Sequence, residues 1–364
     1  QTLGSILYIL NSTDNTDREL PKVAVIRLSA LGDVVLCASM VLHLVRSKKF
    51  KISWITTSQS MQLLGDIEGV EFIIVPKPKN LKSFMECRRI LRSYTFDYLL
   101  LAQASFSAHF VSMHVKAKRR IGFDQSRSKD FHGFFINESI KNKEEHFVEA
   151  YYSFASMLGL QKPLEINWNG LFQSDRNEEL SRIVLPVKNR IMAINPSASK
   201  TERNWKVNSY VKIIDYAQDK GIGVVITGGD EQNELNLNEQ ICDRCKESPL
   251  NLTGKIKLGV LPYLLKEIDF LLAPDTGSIH IARAVGTTVI GLYAVANPRL
   301  TGPYNANEFS INKFDLASKE LSSSRQVNFH TRVHNPSAMS LIKEEEVIAK
   351  IDLLLESLSL SESQ

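Results

Sequence analysis

The sequence predicts an α/β protein made of two doubly wound units with a cleft between them. Its apolar runs are short, rich in Val, Ile and Leu, and alternate with amphipathic stretches, the pattern of parallel strands covered by helices. The alternation occurs twice, on either side of a polar stretch. At 364 residues the chain exceeds one compact core and suits two units of about 150 residues each.

In chain order, the first strand is expected at 23–28, where VAVIRL follows Pro21. Strands at 52–56, 71–75 and 98–102 follow, the third stopped by Pro76. Between and after them, apolar residues at helical spacing predict helices at 34–46, 61–64, 81–94 and 146–158. The second series places strands at 191–195, 223–227, 250–253, 270–273 and 288–293. Its helices are expected at 209–220, 231–246, 259–266 and 278–285. The boundary falls within 161–189, where Pro163 and Pro186 flank polar residues. The units are thus 22–165 and 186–335, preceded by a leader, 1–21. Residues 305–336 read as an irregular excursion before a last helix at 341–354, within a terminal segment 339–357. In open parallel sheets ligands bind beyond the carboxyl ends of the strands, so the site is expected between the two units.

Bulk properties narrow the function. Apolar residues are 43% and charged residues 23%, the balance of a globular protein. A net charge of +4 lacks the dense Lys/Arg usage of a nucleic-acid binder, so no nucleic-acid partner is expected. Residues 1–20 lack a basic segment followed by a long apolar run, and no later stretch approaches a membrane span. A cytoplasmic protein is expected. Cys242 and Cys245 form one C-x-x-C without the second pair a zinc site needs, so they read as helical thiols and no metal is expected.

Three segments carry chemistry. The first, Arg27-Leu28-Ser29-Ala30-Leu31-Gly32-Asp33, joins the first strand to its helix. Asp33 there is either an N-cap, contributing about 1 kcal/mol, or a carboxylate at the cleft able to take a proton from a hydroxyl. With one glycine, the turn is not the G-x-G-x-x-G loop of a dinucleotide site. Gly228-Gly229-Asp230-Glu231 likewise lacks the Lys-Ser/Thr of a P-loop. The second, Asp275-Thr276-Gly277-Ser278-Ile279-His280, follows a buried strand. Asp275 or Thr276 can cap the helix, Gly277 leaves room for a ligand, and free N–H groups at the helix start attract an anion that His280 could reach. The third runs from Asn195 to Trp205. Its small residues permit a tight turn, and Lys200 and Arg203 bring cations to the cleft mouth, either to clasp phosphate or as ordinary loop charges.

Together and in this order, the three segments resemble glycosyltransferase family 9, the ADP-heptose:lipopolysaccharide heptosyltransferases. Ser29 to Asp33 matches its S-x-x-G-D, Asn195 to Trp205 its N-P-(G/S)-A-S…W, and Asp275 to Gly286 its D-(S/T)-G-x-x-H-x-A-x-A-x-G. Lesser matches are Arg119 to Phe123, His146 to Glu149, Leu252 to Lys255, and Asn297-Pro298 with Gly302-Pro303. Arg203 stands where the family has lysine, and Lys206 where proline often follows the tryptophan.

The resemblance implies a GT-B fold, two Rossmann-like domains facing across a cleft, with acceptor on the first, nucleotide sugar on the second, and a last helix crossing back to the first. It implies inverting transfer of a heptose from an ADP-sugar to the lipopolysaccharide inner core or a lipid A precursor, with no bound metal or cofactor. Asp33 becomes the general base. Lys200, Arg203, Thr276, Gly277 and His280 become contacts to the donor phosphates. Ser197, Glu231, Thr253 and Asp275 become candidates for the nucleotide, and Ser29, Arg119 and Arg120 for the acceptor. The basic groups Lys116, Lys118, Arg119, Arg120 and Lys77, Lys79, Lys82 fit either phosphorylated headgroups at the inner-membrane face or a solvated surface. Two alternatives stay open: another nucleotide sugar or acceptor on the same fold, and a catalytically silent sugar-nucleotide binder.

Overall fold

The computed structural model describes residues 19–128, 131–173, 177–321 and 328–362. The expected leader lies almost wholly outside the described residues.

The first lobe comprises β1 (Lys22–Ile26), α1 (Leu31–Arg46), β2 (Lys51–Thr56), α2 (Ser58–Leu64), β3 (Val70–Ile74), α3 (Leu81–Leu91), β4 (Thr95–Leu101), α4 (Phe106–Ser112), β5 (Lys116–Phe123), β6 (Glu138–Ile140) and α5 (Phe147–Met157). A linker with the short helix α6 (Asn177–Leu180) leads to the second lobe. That lobe comprises β7 (Arg190–Ile194), α7 (Val207–Asp219), β8 (Ile222–Ile226), α8 (Gln232–Cys242), β9 (Leu250–Asn251), α9 (Leu261–Lys266), β10 (Phe270–Pro274), α10 (Gly277–Val285), β11 (Thr288–Tyr293), α11 (Pro298–Thr301), β12 (Ile311–Asn312) and α12 (Phe314–Leu321), with α13 (Glu344–Glu362) last. Among the described residues each sheet has six strands, in the orders β3-β2-β1-β4-β5-β6 and β12-β11-β10-β7-β8-β9, and neighbouring strands pair in parallel. Both are the doubly wound order, whose switch points fall between β1 and β4 and between β7 and β10. The GT-B architecture follows.

Strands β8 and β10 are buried along their whole length, as covered parallel strands should be. Strands β5 and β6 were not expected. Lys116, Lys118, Arg119 and Arg120 read as a surface charge cluster, yet they begin β5 beside β4. The strand tolerates them because burial rises only toward Ile121–Phe123, and because acids on neighbouring strands answer the charges: Lys118 Nζ lies 2.8 Å from Asp97 Oδ1. The linker also differs from its polar reading. Ile166, Trp168 and Leu171 join the core, and Trp168 Nε1 donates to Val35 O at 2.7 Å.

Helix α1 is the centre of the molecule. Eleven of its sixteen residues are buried, because it packs against its own sheet, α5 and α10 of the second lobe. One apolar cluster runs from Val23 and Val34 through to Leu264, Ile279 and Ala282. Each fully buried aliphatic side chain there contributes roughly 1.5–3 kcal/mol, so the lobes are joined by a core and not merely hinged.

The last helix does not return to the first lobe. Val347, Ile351 and Leu354, spaced at one helical face, pack with Tyr210, Ile213 and Ile214 of α7. Polar pairs extend the seam: Ser209 with Glu344, Lys212 Nζ to Glu345 Oε1 at 2.6 Å, and Tyr216 Oη to Asp352 Oδ1 at 2.6 Å. The apolar stripe of α7 is complementary to α13, and this match determines where the helix docks.

Candidate active site

The turn after β1 is rigid because nearly every polar atom in it has a partner. Leu28 N and Ser29 N donate to Gln103 Oε1 at 2.8 and 3.2 Å, and Gln103 is oriented in turn by Ser105 Oγ at 2.8 Å. Thr56 Oγ1 holds Arg27 O at 2.7 Å, and Ser60 Oγ holds Leu28 O at 2.9 Å. Asp33 is not the helix cap. Ala30 occupies that position without a side-chain bond, and Asp33 sits in the first turn of α1. There it pairs with Arg27, a buried guanidinium that also donates to Ala102 O at 2.8 Å. Burial would lower the Arg27 pKa, but the fields of Asp33, Tyr151 and Cys37 outweigh it and the net shift is upward. Arg27 therefore stays charged and keeps the Asp33 carboxylate, 31% exposed, in one place.

In the second lobe, Asn195 links the ends of β7 and β8 to the start of α10. Its Nδ2 donates to Thr227 O at 2.9 Å and its Oδ1 accepts from Ser278 Oγ at 3.1 Å. Thr276 is the N-cap residue of α10 in extended conformation with no side-chain cap bond, and Gly277 is the first helical residue. The first N–H groups of α10 thus lack a capping side-chain oxygen. His280 is buried, and its Nδ1 has no hydrogen-bond partner among the described residues. Burial lowers its pKa, and the Asp275 and Asp33 carboxylates offset only part of this, so the ring is neutral at pH 7.

These two pieces meet. A Cβ on Gly32 would lie 2.6 Å from His280 Cδ2, and one on Gly277 would lie 3.1 Å from Gly32 N. The starts of α1 and α10 therefore touch backbone to backbone, and glycine at both positions is what permits it. Asp33 and His280 feel each other's field across this contact. His146 caps α5 and spans the same junction. Its Nδ1 accepts from Val148 N at 3.1 Å, and its Nε2 donates to Gly302 O at 2.9 Å. Burial pushes its pKa down to about 4, which matches the neutral tautomer these bonds require.

Other expected residues fall variously. Ser29 belongs to the turn beside Asp33, and Lys200 is exposed at the cleft-side loop. Ser197 is buried with its hydroxyl unpartnered among the described residues. Thr253 is buried and its Oγ1 accepts from Asn238 Nδ2 at 2.8 Å, while Glu231 is exposed at the start of α8. Glu234, not Glu231, closes the Gly-Gly turn by accepting from Gly229 N at 2.7 Å. Arg203 is buried, donates from Nη1 to Asp275 O and Oδ2 at 2.8 and 2.9 Å, and from Nη2 to Ser199 Oγ at 2.6 Å. Arg119 makes two 2.6 Å bonds to Glu138 with its side chain still 40% exposed, and Arg120 donates to the carbonyls of Phe135, Val115 and Ser112 at 2.8–2.9 Å. Both guanidinium groups stitch the β5–β6 region. Sequence reasoning missed Arg27, Gln103, Asn195's linking role and the His146–Gly302 bond. Among these, Arg27, Asn195, His146 and Gly302 lie in or beside matched motif segments, and Gln103 lies in none. Among the described residues, no His, Cys, Asp or Glu side chains group as metal ligands would. Cys242 ends α8 and Cys245 lies beyond it, both as free thiols.

Known proteins share these features. Residues 84–328 match the model of glycosyltransferase family 9 (heptosyltransferase), a span that includes the Asn195 and Asp275 segments. The lipopolysaccharide core heptosyltransferase OpsX of Haemophilus influenzae is 30% identical over 341 residues, covering 92% of this chain and 98% of that one. Among solved structures, a family 9 glycosyl transferase from Veillonella parvula superposes with a TM-score of 0.73 at 19% identity, covering 93% of this chain and 97% of that one. The E. coli heptosyltransferase WaaC with ADP gives 0.70 at 18% identity, covering 92% and 99%.

Proposed function

The chain belongs to glycosyltransferase family 9, the heptosyltransferases, and from that premise we propose that it moves a heptose from an ADP-linked donor to the lipopolysaccharide inner core with inversion. The OpsX relative is named for the lipopolysaccharide core, and WaaC has been solved with ADP and with ADP-2-deoxy-2-fluoro heptose. The observation that carries the reading is the backbone contact of Gly32 and Gly277, which sets Asp33 of one lobe beside the uncapped start of α10 in the other.

In this scheme the acceptor hydroxyl approaches Asp33. The carboxylate takes the proton as the hydroxyl oxygen attacks the anomeric carbon from the face opposite the leaving ADP, which inverts that centre. The charge developing on the diphosphate is met by the α10 N–H groups, the Ser197 hydroxyl and Lys200, so protein donors fill the place of a metal ion. Arg27 keeps Asp33 aimed. The continuous core behind the junction excludes water from the reacting centre and limits donor hydrolysis. The acceptor would be met at the cytoplasmic face of the inner membrane; no helix among the described residues is long and apolar enough to cross one.

The test is Asp33→Asn. Transfer should fall by about 10²–10⁴-fold, the usual worth of a general base, while ADP binding persists. Unchanged turnover would remove Asp33 from this role. Thermal shifts with ADP-, UDP- and GDP-linked sugars test the donor, and stabilisation by a UDP-sugar alone would refute the ADP assignment.

A further inference from the structure

We propose that Arg332, carried toward Asp275 by the strap formed by residues 328–335, is a further cation, beside Lys200, that receives the donor diphosphate, and that Arg203 serves chiefly to hold Asp275. The role rests on the donor cleft proposed above.

Arg203 is poorly placed to grasp a ligand. Three bonds tie its terminal nitrogens to Asp275 and Ser199, which leaves only its Nε, buried without a partner among the described residues, to meet a ligand. Turning it toward a phosphate would strip a buried carboxylate of its counter-charge, the costly way to break such a pair. Arg332 differs. Its Nη1 lies 3.9 Å from Asp275 Oδ2, beyond hydrogen-bonding distance, and its side chain is 40% exposed. One carboxylate thus stands between two guanidinium groups and neutralises only the nearer. The uncompensated charge is adjacent to Thr276 and Gly277, where the α10 N–H groups emerge.

The strap is held in place, so Arg332 is delivered and not merely tethered. Val333 is fully buried, and its N–H donates to Val295 O at 2.9 Å. Asn297 Nδ2 donates to Phe329 O at 3.2 Å, and His334 Nδ1 pairs with Glu202 at 2.9 Å. On the other side, His330 lies in the fields of Arg127, Asp124 and Glu144 of the first lobe. The strap therefore runs between the lobes, and residues 328–335, in a segment to which the sequence assigns no role, gain one. Unsatisfied groups surround the same carboxylate. Ser197 Oγ, His280 Nδ1 and Tyr293 Oη are all buried without partners among the described residues, and His280 and Tyr293 sit in the Asp275 field. A ligand with several acceptor oxygens, such as a nucleoside diphosphate, supplies what this cluster lacks.

The experiment is calorimetric titration of ADP and of inorganic pyrophosphate onto the full chain and its variants, with Tm recorded for each. Arg332→Ala is expected to weaken both ligands by at least about ten-fold, the loss of one charge-assisted hydrogen bond, with Tm unchanged. Arg332→Lys should recover part of the affinity. Arg203→Ala is expected to lower Tm. Equal affinity of wild type and Arg332→Ala for pyrophosphate overturns the assignment. If wild type takes pyrophosphate but not ADP, the ADP reading fails while Arg332 is still judged on pyrophosphate. Failure of wild type to bind either ligand overturns both.

Discussion

Replacing Gly32 with alanine would place a methyl group 2.6 Å from His280 Cδ2 and 3.1 Å from Gly277 Cα. Two effects then compete. Within α1, alanine is the better helix former by roughly 0.5–1 kcal/mol, which would stabilise the chain. Across the junction, neither neighbour can yield easily: the His280 ring is buried and the Gly277 contact is to backbone. Overpacking of this kind costs about 1–3 kcal/mol, so the clash exceeds the propensity gain and the lobes must part. The expected result is a lower Tm and a loss of turnover of about 5- to 150-fold, since each 1.36 kcal/mol is ten-fold in rate. The assay is steady-state transfer with a soluble acceptor, alongside ADP titration and thermal denaturation. Gly286→Ala is the control. It forces alanine to a φ of +90° at the end of α10 with nothing near its Cβ, so it should lower Tm without touching the junction. A Gly32→Ala protein with wild-type turnover would show that the closed contact of α1 and α10 is not the arrangement in which transfer occurs.

Three further outcomes are expected. Arg27→Met should destabilise the fold by about 3 kcal/mol, the lower end for breaking a buried pair because Asp33 is partly solvated, as read by urea denaturation; an unchanged midpoint would mean the pair contributes little. Arg120→Ala leaves three carbonyls without their donor and should lower stability by about 2–4 kcal/mol while the acceptor KM stays put; a raised KM with unaltered Tm would restore Arg120 to the acceptor site. His146 binds its proton more weakly folded, at about 4, than unfolded, near 6.5, so the unfolded chain holds more protons between those values and stability rises with pH there. The effect is fully present above about pH 6.5, lost as pH falls toward 4, and worth about 3 kcal/mol. His146→Gln should flatten the Tm profile over that window, and an identical slope would refute it.

Strand and helix periodicity made both sheets legible, because parallel strands covered on both faces are written as unbroken apolar runs. Strands β5 and β6 escaped because their charges are answered by Asp97 and Glu138, partners far apart in the chain. The motif segments likewise made the positions of Asp33, Thr276, Gly277 and His280 at two helix starts legible, since turns and helix starts are local and depend on nearby residue types. Side-chain engagement is not local. Whether a guanidinium is free or tied depends on which partner the fold brings within reach, and so Arg203 is bound to Asp275, Arg119 to Glu138 and Arg120 to three carbonyls, while Arg332 stands 3.9 Å from Asp275. The docking of α13 on α7, and the contact of Gly32 with Gly277, are of the same kind. Both depend on the packing of surfaces distant in the chain, for which no residue pattern along it provides a coordinate.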